Sequence, residues 1–341
     1  MQIAVKRIAP FVHRTPLIRS ESLSNRFSTN IYLKLEVLQP TGAFKVRGAF
    51  NRMLTLTAEE QKRGVIAVSA GNHAQAVAYA ASRLGLRSLI LMPEFTPLNY
   101  LERTRSYGAE VALTRTLTEA FESVSEYVDA GWTYIHPFDD PLVIAGQGTI
   151  GVEIHEALPQ VTDVIVSIGG GGLAAGVAAS IKALKPEVEI WGCETEGADS
   201  MAQALAAGEV IELAAITSIA RTLGAPAVSM TTLTLAQRYL EGVIVVSDDE
   251  ALESLFYLLE DCKVLTEPAA SCTLAAAEKL RAQFSTGSHV VLVLCGGNFA
   301  VEDLCKMLQA KAVITCLTDR LRLGDMTGPV NYDFGDFRKL E

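Results

Sequence analysis

The strongest constraint on what this chain can fold into is a strand-to-helix turn built from four consecutive glycines. Residues 164–168 form a β-branched run, Gly169, Gly170, Gly171 and Gly172 follow with Leu173 behind them, and the small residues of 174–181 read as a helix. Without Cβ atoms, successive backbone N–H groups can converge on one point at the positive end of that helix, which suits a phosphate group. Gly169, Gly171 and Ala174 also satisfy the loose spacing of a dinucleotide fingerprint, and Glu194 ends the next apolar run about where a ribose-binding acid is expected. A phosphorylated ligand is therefore implied, and two cofactor classes stand open. Tight helix packing is the non-functional alternative.

The remainder of the chain repeats the same strand, turn and helix rhythm. Residues 65–69 lead into Gly71, Asn72 and His73 and a helix over 75–84, a strand over 88–92 follows, and 110–113 is the next. Later strands are read at 189–194, 242–246 and 290–294, with Ser247 and Glu250 spaced as a capping box for a helix over 251–259. This alternation makes an α/β fold with mostly parallel sheets flanked by helices. Ligands in such sheets collect at the carboxyl ends of strands, where Ser69, Gly169, Glu194 and Cys295 fall. The Pro- and Asp-rich break at 134–141 and the Gly-rich segment 145–149 read as a lobe boundary, and with 341 residues, 49% of them hydrophobic, there is room for two lobes.

Other classes are disfavoured. The net charge of -10, without a Lys/Arg tract or a basic amphipathic helix, argues against nucleic-acid or anionic-membrane partners and leaves small molecules as ligands. The first residues lack a secretory apolar core, and no later apolar run is long enough to span a membrane unbroken, so a cytoplasmic location is expected. Six cysteines, at 193, 262, 272, 295, 305 and 316, show no C-x-x-C spacing and suit neither a zinc site nor a disulfide framework.

Lys45 and Arg47 lie in the first turn of a helix opening after Gly42, where cations oppose the helix dipole, so their placement asks for a reason. Together with His13-Arg-Thr-Pro-Leu17, Ala43-Phe-Lys-Val-Arg-Gly-Ala49, Ser69-Ala-Gly-Asn-His73, the segment 138–149, the glycine loop, Glu267-Pro-Ala269 and Cys295-Gly-Gly-Asn298, the chain resembles the fold-type II pyridoxal-phosphate enzymes, and among them the L-serine/L-threonine dehydratases. The resemblance implies a two-lobed fold with a large lobe from 1–47 and 150–315, a small lobe at 48–149 and a non-core tail at 316–341. It implies that Lys45 is the Schiff-base lysine, whose burial lowers its proton affinity, and that Phe44 packs on the cofactor. Asn72 would meet the ring oxygen, Gly169 to Leu173 would cradle the phosphate, and Cys295 would contact the pyridine nitrogen. As a thiol it leaves that nitrogen unprotonated, which favours elimination over transamination. Ser69, Ala70, Gly71, Asn72 and His73 would line the substrate carboxylate site, and Glu194, Ala198 and Ser200 would hold a monovalent cation, potassium. For His73, a neutral imidazole serving the helix start is the alternative; for Glu194, a carboxylate at a helix N-terminus.

The activity so implied is conversion of a small β-hydroxy L-amino acid, threonine or serine, to a 2-oxo acid and ammonia, by a homodimer. Racemising members carry a serine where Ala70 stands. Hydroxyaspartate or phenylserine dehydratases and serine racemase are the neighbouring alternatives, and a nicotinamide oxidoreductase using the same glycine loop is the distant one. This chain departs from the family at Tyr100, where a lysine is usual, at Ala43, where serine is common, and at Arg221 and Thr222, where members with a divalent site carry an acidic residue and glycine. Too little chain follows residue 315 for a C-terminal regulatory domain, so isoleucine feedback is not expected.

Overall fold

The protein is described from a computed structural model, and residues 1–308 are those whose structure is described. Ten strands lie in two sheets: β1 (Leu17–Arg19), β2 (Asn30–Leu35), β3 (Val65–Val68), β4 (Ser88–Pro93), β5 (Glu110–Thr114), β6 (Thr133–Tyr134), β7 (Asp163–Ser167), β8 (Glu189–Thr195), β9 (Gly242–Val246) and β10 (His289–Leu294). The larger sheet has the order β1-β2-β10-β7-β8-β9 and the smaller β5-β4-β3-β6. Only β1 runs antiparallel, against β2. Parallel neighbours need crossover helices, and helices cover both faces of each sheet, which is why β10 reads as an unbroken apolar run.

The core follows from the period-2 alternation of the strands. On one face of the larger sheet Val164, Val166, Val291 and Val293 pack with Leu173, Val177 and Ile181 of the helix Gly172–Leu184. The other face sets Ile165, Leu292 and Leu294 against the helix Pro268–Leu280 through Cys272, Leu274 and Ala276. In the smaller sheet Val65, Ala67 and Ile90 meet the alanine-rich helix Asn72–Arg83, and Ile66, Val68 and Leu91 meet Ala120. Glycine sets one close approach that matters for the site. A Cβ on Gly146 would lie 2.6 Å from the Arg47 carbonyl oxygen, so its absence lets the helix Pro141–Gln147 rest against the helix Lys45–Met53.

Two helices begin earlier than the periodicity predicts. Helix Asn72–Arg83 starts directly after Gly71, three residues before the expected position, because polar Asn72 and His73 are buried on its first turn. Helix Asp248–Glu260 includes the acidic turn read as its prelude: the Glu250 N–H donates to Ser247 Oγ at 3.1 Å and the Ser247 N–H donates back to Glu250 Oε2 at 2.7 Å, which makes Ser247 the N-cap.

Both sheets belong to one compact unit, Met1–Asn298. A second unit begins at Phe299; its described part is a helix over 301–308 with an ion pair between Glu302 and Lys306 at 2.8 Å. The expected lobe end at 315, the tail from 316 and Cys316 lie outside the described residues.

Candidate active site

The turn that carries Lys45 is pinned to the end of β10. Ala43 and Gly296 form an antiparallel bridge, the Phe44 N–H donates to the Cys295 carbonyl oxygen at 2.9 Å, and the Gly297 N–H donates to that of Gly42, also at 2.9 Å. The Glu267 N–H in turn donates to the Gly296 carbonyl oxygen at 3.1 Å, so Lys45, Cys295 and Glu267 are gathered at the carboxyl end of one central strand. Lys45 Nζ donates to the Pro137 carbonyl oxygen at 2.8 Å and stands 5.2 Å from the centre of the Phe44 ring. Burial lowers the pKa of this amine to about 8, with Cys295 and Glu267 offsetting part of the effect. The Cys295 thiol is buried, 3.7 Å from Ala269 O and 3.8 Å from Ser167 Oγ, and burial pushes its pKa well above the ordinary thiol value.

The loop after β3 contributes the second group. The Gly71 N–H donates to Ser69 Oγ at 3.1 Å, while the N–H groups of Asn72 and His73, at the open end of their helix, find no acceptor among the described residues. His73 uses its side chain elsewhere: Nε2–H donates to the Ile135 carbonyl oxygen at 2.7 Å, and burial together with Lys45 lowers its pKa to about 3, so the ring is neutral and structural. The Asn72 side chain donates to Glu267 Oε1 at 2.8 Å, and the Thr222 hydroxyl reaches the same oxygen at 2.9 Å. Burial raises the pKa of Glu267 to about 7, against the pull of Thr222, Asn72 and Lys45.

The third group is the glycine turn. Gly171, at φ +92°, caps the helix Gly172–Leu184, and the N–H groups of Gly169 to Leu173 have no protein acceptor among the described residues. A Cβ on Gly170 would fall 2.1 Å from the Phe138 ring, one on Gly172 2.9 Å from Phe138 Cα, and one on Gly169 3.0 Å from the Leu223 carbonyl oxygen. The segment His136-Pro137-Phe138 thus touches Lys45 on one side and the glycine turn on the other. Phosphate-accepting N–H groups and a lysine amine of lowered proton affinity, joined by one short segment, are the donor set that a phosphorylated aldehyde needs.

Arg47 finds its reason outside the site. Its guanidinium, fully buried, forks onto Glu36 through Nε at 2.7 Å and Nη2 at 2.8 Å, and onto Glu153 through Nη1 at 2.7 Å and Nη2 at 2.9 Å. Lys34 Nζ completes the set, 2.5 Å from Glu153 Oε2 and 2.7 Å from the Thr15 carbonyl oxygen. Burial alone would raise the Glu36 carboxyl, but Arg47 and Lys34 outweigh it and the net shift is downward. Two cations and two carboxylates balance, and they tie β2, the segment after it and the helix Thr149–Ala157 to the turn next to Lys45.

Glu194 is fully buried at the end of β8 and accepts from the Met201 N–H at 2.9 Å and the Ala202 N–H at 2.8 Å. It therefore serves the start of the helix Ser200–Ala207, and burial lifts its pKa to about 8 despite those two bonds. Ala198 lies beside it, its N–H donating to the Thr195 carbonyl oxygen at 2.9 Å, and Ser200 opens the helix. Among the described residues no group of three or more His, Cys, Asp or Glu side chains could hold a metal ion.

The sequence pattern of the family described as pyridoxal-phosphate dependent enzymes matches residues 8–296. The chain belongs to that family. Membership sets aside the nicotinamide reading of the glycine loop. Among similar proteins, the L-threonine ammonia-lyase of Thermotoga maritima is 40% identical over 308 residues, 89% of this chain and 76% of the relative. The structure of the processed form of tomato threonine deaminase isoform 2 superposes with a TM-score of 0.86 at 33% identity, covering 90% of this chain and 91% of that one. Maize serine racemase gives a TM-score of 0.85 at 35% identity, over 92% and 97%. The pyridoxal-phosphate family thus includes both eliminating and racemising enzymes of this shape.

Some site residues are not foreseen from the sequence. Glu267 and Asn298 occur there only as members of motifs, and nothing assigns their side chains a task; Thr222 figures only as a departure. The signal for Glu267 is a carboxylate directly before Pro268 at a helix start. For the Pro137 carbonyl oxygen there is no signal, since a backbone atom carries none.

Proposed function

We propose that the protein is an L-threonine or L-serine ammonia-lyase that yields a 2-oxo acid and ammonia. The observation that carries this reading is Lys45, a half-buried amine of lowered proton affinity near the Pro137 carbonyl, Cys295 and Glu267, in a chain similar to L-threonine ammonia-lyases. When bound, pyridoxal phosphate supplies a sink for the electron pair left at the substrate Cα after its proton is removed. The N–H groups of Gly169, Gly170, Gly171, Gly172 and Leu173 would hold the phosphate, Phe44 would pack on the ring and Asn72 would donate to the ring oxygen. Ser69, Gly71 and the open N–H groups of Asn72 and His73, with Ala70 between them, line the substrate carboxylate site. Lys45 would hold the cofactor, and its neutral nitrogen would take the Cα proton of the substrate. Cys295 stays a neutral thiol and offers the pyridine nitrogen no strong acid, which favours loss of the β-hydroxyl.

The lobes divide near residues 47 and 149, and the working form is a cytoplasmic homodimer, as the family resemblance implies. Among the described residues no helix is long and apolar enough to cross a membrane. Assay of 2-oxo acid across threonine, serine, 3-hydroxyaspartate and phenylserine tests the substrate class: product from neither threonine nor serine contradicts it.

Three outcomes follow from the site. Protein stripped of cofactor should capture added pyridoxal phosphate faster as pH rises through about 8, because only the neutral form of Lys45 attacks. At pH 7 roughly a tenth of the amine is neutral. Stopped-flow absorbance from pH 6 to 10 reads this, and a flat profile below pH 9 contradicts it.

Ala70 cannot donate or accept a proton, so reprotonation from the face opposite Lys45 has no source and D-isomer should be negligible beside 2-oxo acid. Ala70→Ser should raise the racemised fraction. Chiral chromatography decides it, and D-serine formed as fast as pyruvate in the unaltered protein sinks the assignment.

A potassium ion beside Glu194, Ala198 and Ser200 is the cation that fits an oxygen-only set with a single carboxylate. Replacing sodium by potassium should raise the rate, and Glu194→Gln should abolish the difference between the salts. Equal rates in both salts for the unaltered protein remove the cation from the account.

A further inference from the structure

The groups around Asn72 determine which way round its amide stands. Asn298 donates from Nδ2 to the Thr41 carbonyl oxygen at 2.7 Å, and a carbonyl oxygen can only accept, so the nitrogen of Asn298 is identified. The same nitrogen donates to Asn72 Oδ1 at 2.8 Å. That engages the Asn72 oxygen and turns its Nδ2 towards Glu267 Oε1, 2.8 Å away. Reversing Asn72 would set N–H against N–H at Asn298 and oxygen against oxygen at Glu267. Acceptors at both ends, Thr41 O and Glu267 Oε1, therefore lock the chain of bonds in one direction.

Glu267 is a costly way to build such an end. It is 3% exposed, makes no salt bridge among the described residues, and leaves Oε2 without a hydrogen-bond partner there. Burying a carboxylate this way costs several kcal/mol unless other contacts offset it. The charged and titratable groups that act on it are Lys45 and Cys295, while Thr222 and Asn72 touch it as neutral donors.

We propose that Glu267 and Asn298 are positioning residues that hold the Asn72 amide in a single orientation, leaving one Nδ2–H as its only uncommitted donor and so making the amide a donor to the ring oxygen of the cofactor. The proposal rests on the reading of Asn72 as the residue that meets that oxygen. An amide free to turn would present its own oxygen to an anionic ring oxygen for part of the time, which repels it. The lock removes that state.

The test compares the affinity of the stripped protein for pyridoxal phosphate with its affinity for the 3-deoxy analogue, which lacks the ring hydroxyl, by absorbance titration. Because each protein is its own reference, loss of stability does not enter the ratio. One hydrogen bond to a charged oxygen corresponds to about tenfold or somewhat more. Glu267→Leu and Asn298→Ala should each lower the preference for the natural cofactor about tenfold, whereas Glu267→Gln, which keeps an acceptor at the Oε1 position, should stay within about threefold of the unaltered protein. Asn72→Ala should lower it as far as either. If Asn72→Ala leaves the ratio unchanged, the assignment of Asn72 has failed and the proposal falls with it. If Asn72→Ala lowers the ratio but Glu267→Leu and Asn298→Ala do not, or if Glu267→Gln is as damaging as Glu267→Leu, Asn72 keeps its role and the lock alone is overturned.

Discussion

Lys45→Ala is expected to lower turnover of threonine or serine by about a thousandfold or more, the scale of losing a nucleophile and a base in one residue. In the proposed reading the phosphate would be cradled by the backbone of Gly169 to Leu173 and the ring oxygen met by Asn72, so neither contact would depend on the lysine side chain. The folded variant should therefore still bind pyridoxal phosphate, more weakly, and its thermal midpoint should match that of the unaltered protein. Removing a half-buried amine whose hydrogen bond goes to Pro137 leaves a single carbonyl oxygen without that donor, a modest loss. A variant that keeps a tenth of the activity would show that another group takes the Cα proton.

Arg47→Leu is expected to have the largest effect on stability. The guanidinium neutralises Glu36 and Glu153, both buried, and its removal leaves those carboxylates with Lys34 alone. Breaking a buried ion pair from one side costs about 3–5 kcal/mol because the remaining charge is desolvated and unpaired. Taking the charge away on both sides costs less: Glu36→Gln with Arg47→Met leaves the Lys34–Glu153 pair balanced and should recover much of the loss. Urea unfolding measures both. The cluster would lose its stated role if the single substitution shifted the midpoint less than the double one.

Much of the fold was legible because strand alternation and glycine punctuation are local. The runs 242–246 and 290–294 and the turn at Gly169 to Gly172 sit where the pattern puts them, and Lys45, Asn72 and Cys295 stand at strand ends or helix starts as their motifs imply. What escaped is non-local. Nothing in the sequence marks out Lys34 or Glu36, and Arg47 reads as a partner of Lys45 at an awkward helix position. Only the meeting of β2 with the helix Thr149–Ala157 shows four charges cancelling out of water. Likewise, Asn298 and Asn72 are separated by 226 positions, so nothing in either motif announces that one fixes the other. His73 shows the converse: its motif suggests a ligand contact, and its ring is spent on the Ile135 carbonyl oxygen.

The central claim is that Lys45 is the residue that carries the cofactor. Reduction of the holoenzyme with borohydride followed by proteolysis and mass spectrometry tests it most directly. The expected result is a single reduced pyridoxyl adduct on Lys45, with loss of the visible absorbance band. A stoichiometric adduct on any other lysine, Lys34 and Lys182 included, would contradict the account.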